Sequence, residues 1–175
     1  MKKKALFALC FVMLLLCFCC ACEEDYSLPE GRDEDGTVRI IFGEKELGSV
    51  SLDDILKLNN KTKSMTYQST TEGKVSGEFT GALLSDIIKL VDENILKEYD
   101  GIIAHGSDGY FATITMDEAR QLNNVFIMYL KDGEPLPIYK GTAERSMRMI
   151  VTNDQFGIRF TNYLVDIELT KEEDE

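Results

Sequence analysis

The chain has 175 residues, a length for one ordinary domain, with 31 acidic against 19 basic residues and a formal net charge of −12. That balance excludes nucleic acid and anionic lipid head groups as favoured partners. A single histidine excludes a His-rich metal site, and the five cysteines all lie within the first 22 residues, so the rest of the chain has neither disulfides nor a thiolate ligand.

The N-terminus has the anatomy of an export signal. Met1-Lys2-Lys3-Lys4 is basic, Ala5 to Cys22 runs without a charge, and Glu23-Glu24-Asp25 follows at once. The end of the run, Cys19-Cys20-Ala21-Cys22, resembles a bacterial lipoprotein signal, in which a small residue precedes a cysteine that is lipidated and becomes the new N-terminus. Cys22, after Ala21, is the expected lipidation site, and Cys20 is the fallback. An uncleaved membrane anchor is the competing reading, although the run is only just long enough to span. Acyl chains at one cysteine would hold the protein on the outer, extracytoplasmic face of the cell membrane, each buried CH₂ contributing ~0.8 kcal/mol. Without residues 1–22 the chain keeps 16 basic and 31 acidic residues. Glu23 to Gly36 is acidic, carries Pro29 and Gly31, and reads as a tether. Lys171 to Glu175 reads as a charged tail, so the folded domain is expected between about Thr37 and Thr170.

Thr37 to Phe42 predicts a strand, with Leu47 to Val50 pairing back across Gly43-Glu44-Lys45-Glu46. Ser51 caps a short helix, with Asp54 at the capping-box position. Lys63 to Ser69 and Lys74 to Phe79 predict a hairpin across Thr71-Glu72-Gly73. Thr80 is expected to cap a helix from Gly81 to about Glu93, on the spacing of Leu83, Leu84, Ile87, Ile88 and Val91. Ile102 to Thr115 reads as a hairpin around Gly106-Ser107-Asp108-Gly109, since Asp-Gly between alternating apolar runs is a strong hairpin signal. Thr115-Met116-Asp117-Glu118 is a second capping box, opening a helix that ends near Asn123-Asn124. Val125 to Leu130 predicts a central strand, and Leu136 to Tyr139 its partner across Lys131-Asp132-Gly133. Gly141 to Arg145 is a loop. Ser146 to Thr152 and Tyr163 to Leu169 are the last strands. The result is an α+β chain of about nine strands and three short helices, hairpin-joined and mostly antiparallel.

The hairpin turn gathers His105, Ser107, Asp108 and Tyr110, a set of residue types suited to chemistry. A histidine at a strand end and a tyrosine after a turn are equally at home as structure. No phosphate-cradling glycine loop and no nucleophile elbow is present.

Five segments in order resemble the sulfite-oxidase-like, molybdopterin-binding oxidoreductase domain. They are Phe79 to Ile88, Ser107 to Tyr110 followed by the Thr115 to Arg120 helix, Asp132 to Leu136, Gly141 to Arg148, and Phe156 to Leu169. The resemblance covers roughly Thr37 to Leu169. It implies a mixed, mostly antiparallel α+β fold around a cleft for a pterin cofactor, with molybdenum bound by a cysteine thiolate from the segment matching Met65 to Gly77. That segment has no cysteine here, and Ser69 or Thr70 would be hard oxygen substitutes. Tyr110 matches the family's active-site tyrosine at the turn and is the candidate catalytic and cofactor-contacting residue. His105 has no family counterpart. Arg145, Arg148 and Arg159 are the candidate contacts to a small anionic or pterin ligand, because guanidinium pairs bidentately with phosphate. Pairing with the many carboxylates is the competing role for all three. The resemblance and the missing thiolate together imply a membrane-anchored binding or accessory module without a metal site. The alternatives are an active molybdopterin oxidoreductase with an atypical metal ligand, and a cell-surface protein-interaction domain.

Overall fold

A computed structural model describes residues 31–172. The leader, the lipidation position and most of the acidic tether lie outside the described residues. Among those described, ten strands and four short helices form two five-stranded sheets, as the mostly antiparallel α+β reading expects. The first sheet runs β2 (Lys45–Ser51), β1 (Thr37–Phe42), β10 (Leu164–Thr170), β5 (Gly101–Gly106) and β6 (Phe111–Thr115). Its β1–β10 pair is parallel and the others are antiparallel. In the second sheet β3 (Lys61–Ser69) pairs β4 (Gly73–Leu83), which pairs β7 (Val125–Lys131). The free edge of β7 takes β9 (Arg148–Val151) along its first half and the two-residue β8 (Glu134–Pro135) at its end.

The inward side chains of both sheets enter one core. Val38 and Ile40 of β1, Ile102 and Ala104 of β5, and Ile167 and Leu169 of β10 alternate inward, the period-2 pattern of a half-covered sheet. By contrast, β7 is buried along Val125–Tyr129, as its unbroken apolar run predicts for a central strand.

Three of the four helices were legible in outline. Ser51 caps α1 (Leu52–Leu56) by accepting from the Asp54 N–H at 3.1 Å. Thr115 and Glu118 cap α4 (Met116–Arg120) reciprocally, forming the expected capping box. That helix ends at Arg120, short of Asn123-Asn124, and Asn123 takes a left-handed backbone (φ 61°) to turn into β7. The helix expected from Gly81 is different. Thr80 to Leu83 continue β4, and α2 (Leu84–Lys89) starts after an uncapped Leu83. Pairing with β7 wins there: the ladder shifts register between Thr80 and Gly81, and a Cβ at Gly81 would collide with the Ile127 carbonyl oxygen. A fourth helix, α3 (Ile95–Glu98), lies where none was expected. The strand predicted over Leu136 to Tyr139 is replaced by β8, and the Ser146 to Thr152 strand contracts to β9.

Residues 31–36, assigned from sequence to the tether, pack onto the domain. Glu34 is 3% exposed. Its Oε1 accepts from the Ser107 hydroxyl (3.1 Å), the Tyr139 N–H (2.6 Å) and the Lys140 N–H (3.3 Å). Its carbonyl accepts from the Thr142 and Ala143 N–H groups. Arg32 reaches across to Asp166 and the Val165 carbonyl. This strap joins the β5–β6 turn to the loop that leads into β9.

Candidate functional site

Four segments converge on a cavity of about 320 Å³. They are the tip of the β3–β4 hairpin, the β5–β6 turn, the first residue of β9, and the single-turn 3-10 helix Gly157–Arg159. Each is a chain reversal or a strand end, where side chains leave the pleated ladder and can face a common space.

Tyr67 forms the floor. It is the one aromatic residue of β3 and lies only 6% exposed, its ring edge-on to Phe160 with centroids 4.8 Å apart. The Arg148 Nη1 donates to the Tyr67 hydroxyl at 3.1 Å. Burial pushes the Tyr67 phenol up from its ordinary pKa, against the pull of the Arg148 charge, so it stays protonated at neutral pH. The β5–β6 turn supplies Asp108 and Tyr110. Asp108 Oδ1 accepts from the Tyr110 N–H at 3.1 Å, an Asx turn, and Gly109 takes the positive φ (81°) that the reversal needs. The Tyr110 hydroxyl donates to the Ile158 carbonyl, tying the turn to the 3-10 helix. Ser69, Thr70, Thr71, Glu72 and Asn162 complete the polar lining.

The sequence candidates are thus divided. Tyr110 and Arg148 share the cavity. Arg145 opens instead into a separate cleft of about 370 Å³ beside Asp35, Asp53 and Glu144. Arg159 is held by Asp154 (2.7 and 2.9 Å) and by Glu118 (2.8 Å), the carboxylate pairing that sequence weighed against a ligand role. The hydrogen bonds it donates to Asp154 above all, and then to Glu118, raise its pKa further, so its charge is fully engaged. His105 pairs with Glu168 at 2.8 Å and lies beside the Phe111 ring, away from the cavity.

Ion pairing sorts the arginines more sharply than position does. Arg32, Arg39, Arg120 and Arg159 each hold a carboxylate. Among the described residues Arg145 and Arg148 make no ion pair, although both lie in a chain with a large excess of acid. Sequence reasoning missed Tyr67 and Asn162. The only signal for Tyr67 was an aromatic side chain in an otherwise polar, alternating strand, and Asn162 gave none.

The family model for the oxidoreductase molybdopterin binding domain matches residues 38–175, and the chain belongs to that family. No curated protein matches it. Among solved structures it is similar to the sulfane dehydrogenase SoxCD from Paracoccus pantotrophus, with a TM-score of 0.62 and 16% identity over 83% of this chain. That likeness shows the sulfite-oxidase-like fold. The chain spans 40% of the length of the SoxCD chain it matches.

The family binds molybdopterin, and the donors around this cavity fit a thiolate-ligated molybdenum poorly. The β3–β4 hairpin brings hydroxyls, from Ser69 and Thr70, where a soft sulfur ligand is expected, and no cysteine follows Cys22 anywhere in the chain. Among the described residues Arg148 is the single cation on the cavity wall, opposed by the Asp108 and Glu72 carboxylates.

Proposed function

We propose that this protein is a lipid-anchored, extracytoplasmic member of the molybdopterin-binding family that works as a ligand-binding or accessory module without molybdenum catalysis. The observation that carries the reading is the donor set. The cavity keeps a guanidinium, a phenol and hydroxyls but has no thiolate, so it retains the means to hold a small polar ligand and lacks the soft ligand of the metal. Support for the anchor comes from the sequence alone: a basic start, an uncharged run and Ala21-Cys22 ahead of an acidic stretch.

The test is to express the full chain in a host that supplies molybdenum cofactor and to measure metal and pterin in the purified protein. Molybdenum well below one atom per chain is expected, and stoichiometric molybdenum would overturn the reading. In the same cells Cys22→Ala should abolish labelling by a radiolabelled fatty acid; retained labelling moves the site to Cys20. One observation favours a second reading, an oxidoreductase with an oxygen-ligated metal: Ser69 and Thr70 both line the cavity. Under that reading sulfite or sulfoxide turnover appears with the loaded protein and collapses in Tyr110→Phe.

A further inference from the structure

The charges on the cavity wall specify the ligand more narrowly than a small anion. Arg148 is positive, whereas Asp108 and Glu72 are negative, so a bare anion placed there meets more like charge than opposite charge. None of the three has an ion-pair partner among the described residues. We propose that the cavity takes a small zwitterion, an amino acid with an apolar side chain. Its carboxylate would sit on Arg148 and Tyr67, and its ammonium would face Asp108 and Glu72. This rests on the ligand-binding reading above and states what kind of ligand is bound.

The hydrogen-bonding capacity left over in the cavity matches that assignment. Arg148 spends Nη1 on the Tyr67 oxygen, which leaves Nη2 and Nε to donate. Tyr67 accepts from Arg148, so its own proton remains to be given to a ligand. A guanidinium edge beside a phenol O–H is a two-donor seat for a carboxylate. On the other side, Asp108 uses Oδ1 on the Tyr110 N–H, and among the described residues its Oδ2 makes no hydrogen bond. Phe160, whose ring lies against Tyr67, and Ile158, which is 58% exposed, give the wall its apolar part, beside the hydroxyls of Ser69 and Thr70 and the Asn162 amide. An exposed apolar side chain lining a polar cavity is a surface on which a ligand's hydrocarbon part can be buried. A volume of about 320 Å³ is at the low end for small-molecule sites, the size for one amino acid and too small for a dinucleotide.

The experiment is isothermal titration of the purified full chain at pH 7 with L-phenylalanine, L-leucine, 3-phenylpropionate, phenethylamine and sodium sulfate. At least one of the two amino acids should bind about tenfold tighter than either single-charge analogue and than sulfate, as expected when a charge-assisted contact is added. Arg148→Gln should weaken amino-acid binding about tenfold or more, and Arg148→Lys should restore part of it. Asp108→Asn keeps an oxygen for the Tyr110 N–H, so the turn persists; it should spare 3-phenylpropionate binding and remove the preference for the amino acid. If 3-phenylpropionate or sulfate binds as tightly as the amino acids, the zwitterion is overturned and the anion-binding reading stands. If none of the five probes binds, both fall. The comparison of ligands on the unaltered chain decides this even where a variant misfolds.

Discussion

Replacing Glu34 by alanine tests whether the strap belongs to the folded domain. The substitution removes one carboxylate oxygen that accepts from the Ser107 hydroxyl, the Tyr139 N–H and the Lys140 N–H. Ser107 is fully buried, so its hydroxyl loses its partner without gaining solvent. A hydrogen bond to a charged group contributes about 1.5–3 kcal/mol net, but three donors sharing one oxygen do not sum. Opposing them is Oε2 of the same carboxylate, buried with no partner, whose desolvation already weighs against folding. The balance is a loss of about 2–4 kcal/mol, or roughly 5–12 °C in melting temperature for a domain of this size. Glu34→Gln keeps an acceptor oxygen and should cost about 1 kcal/mol. The assay is urea denaturation at pH 7, with hydrogen exchange followed at the Tyr139 and Lys140 amides. A loss below about 0.5 kcal/mol in the alanine variant, or unchanged protection at those two amides, would refute the latch.

Two further outcomes are expected. Gly81→Ala should destabilise the domain by about 2–3 kcal/mol or more, because the added methyl meets the Ile127 backbone on the neighbouring strand and neither backbone can withdraw from the ladder; a change under about 0.5 kcal/mol in a urea midpoint would contradict the close approach. Asp35 predicts an acid-side effect. Burial pushes its carboxyl up, but hydrogen bonds from Thr37 and Arg32 outweigh that and bring it down to about 2. A depressed carboxylate pKa adds stability that is complete above the unfolded value near 4 and is lost as pH falls toward 2. Half its side chain is exposed, so solvent screening keeps the effect small. Asp35→Asn should flatten the stability profile between pH 4 and 2, and an unchanged slope there would remove Asp35 as its source.

What could be read in advance was what local chemistry decides. The β5–β6 hairpin follows from Asp108-Gly109 between alternating apolar runs, and the α4 cap follows from a threonine three residues before a glutamate. Where two local readings compete, tertiary pairing chose. Leu83 to Val91 has helical spacing, yet its first residue belongs to β4 because β7 offers a ladder partner through Leu83–Phe126. Glu34 was illegible for a different reason. In sequence it is one acid in an acidic run, and the backbone amides that hold it are 105 and 106 residues away. The same distance problem divides the arginines. Nothing near Arg159 in sequence indicates Glu118, 41 residues earlier, and nothing near Arg148 indicates Tyr67, 81 residues earlier. Residue type nominated three arginines, and only the fold separates the one on the cavity from the one fully paired.

The position of β10 has a consequence for how the chain comes to be folded. Among the described strands it is the last in chain order, yet it occupies the middle of the first sheet, between β1 and β5. Until residues 164–170 are available, that sheet consists of two separate hairpins, β1–β2 and β5–β6, and a two-stranded hairpin is at best marginally stable in water. Closing β1 onto β10 also joins positions 127 residues apart, a contact that folds slowly. In a chain emerging from a ribosome this sheet therefore stays open until β10 arrives. Truncation before residue 164 would leave two unpaired hairpins in this sheet rather than a slightly shortened domain.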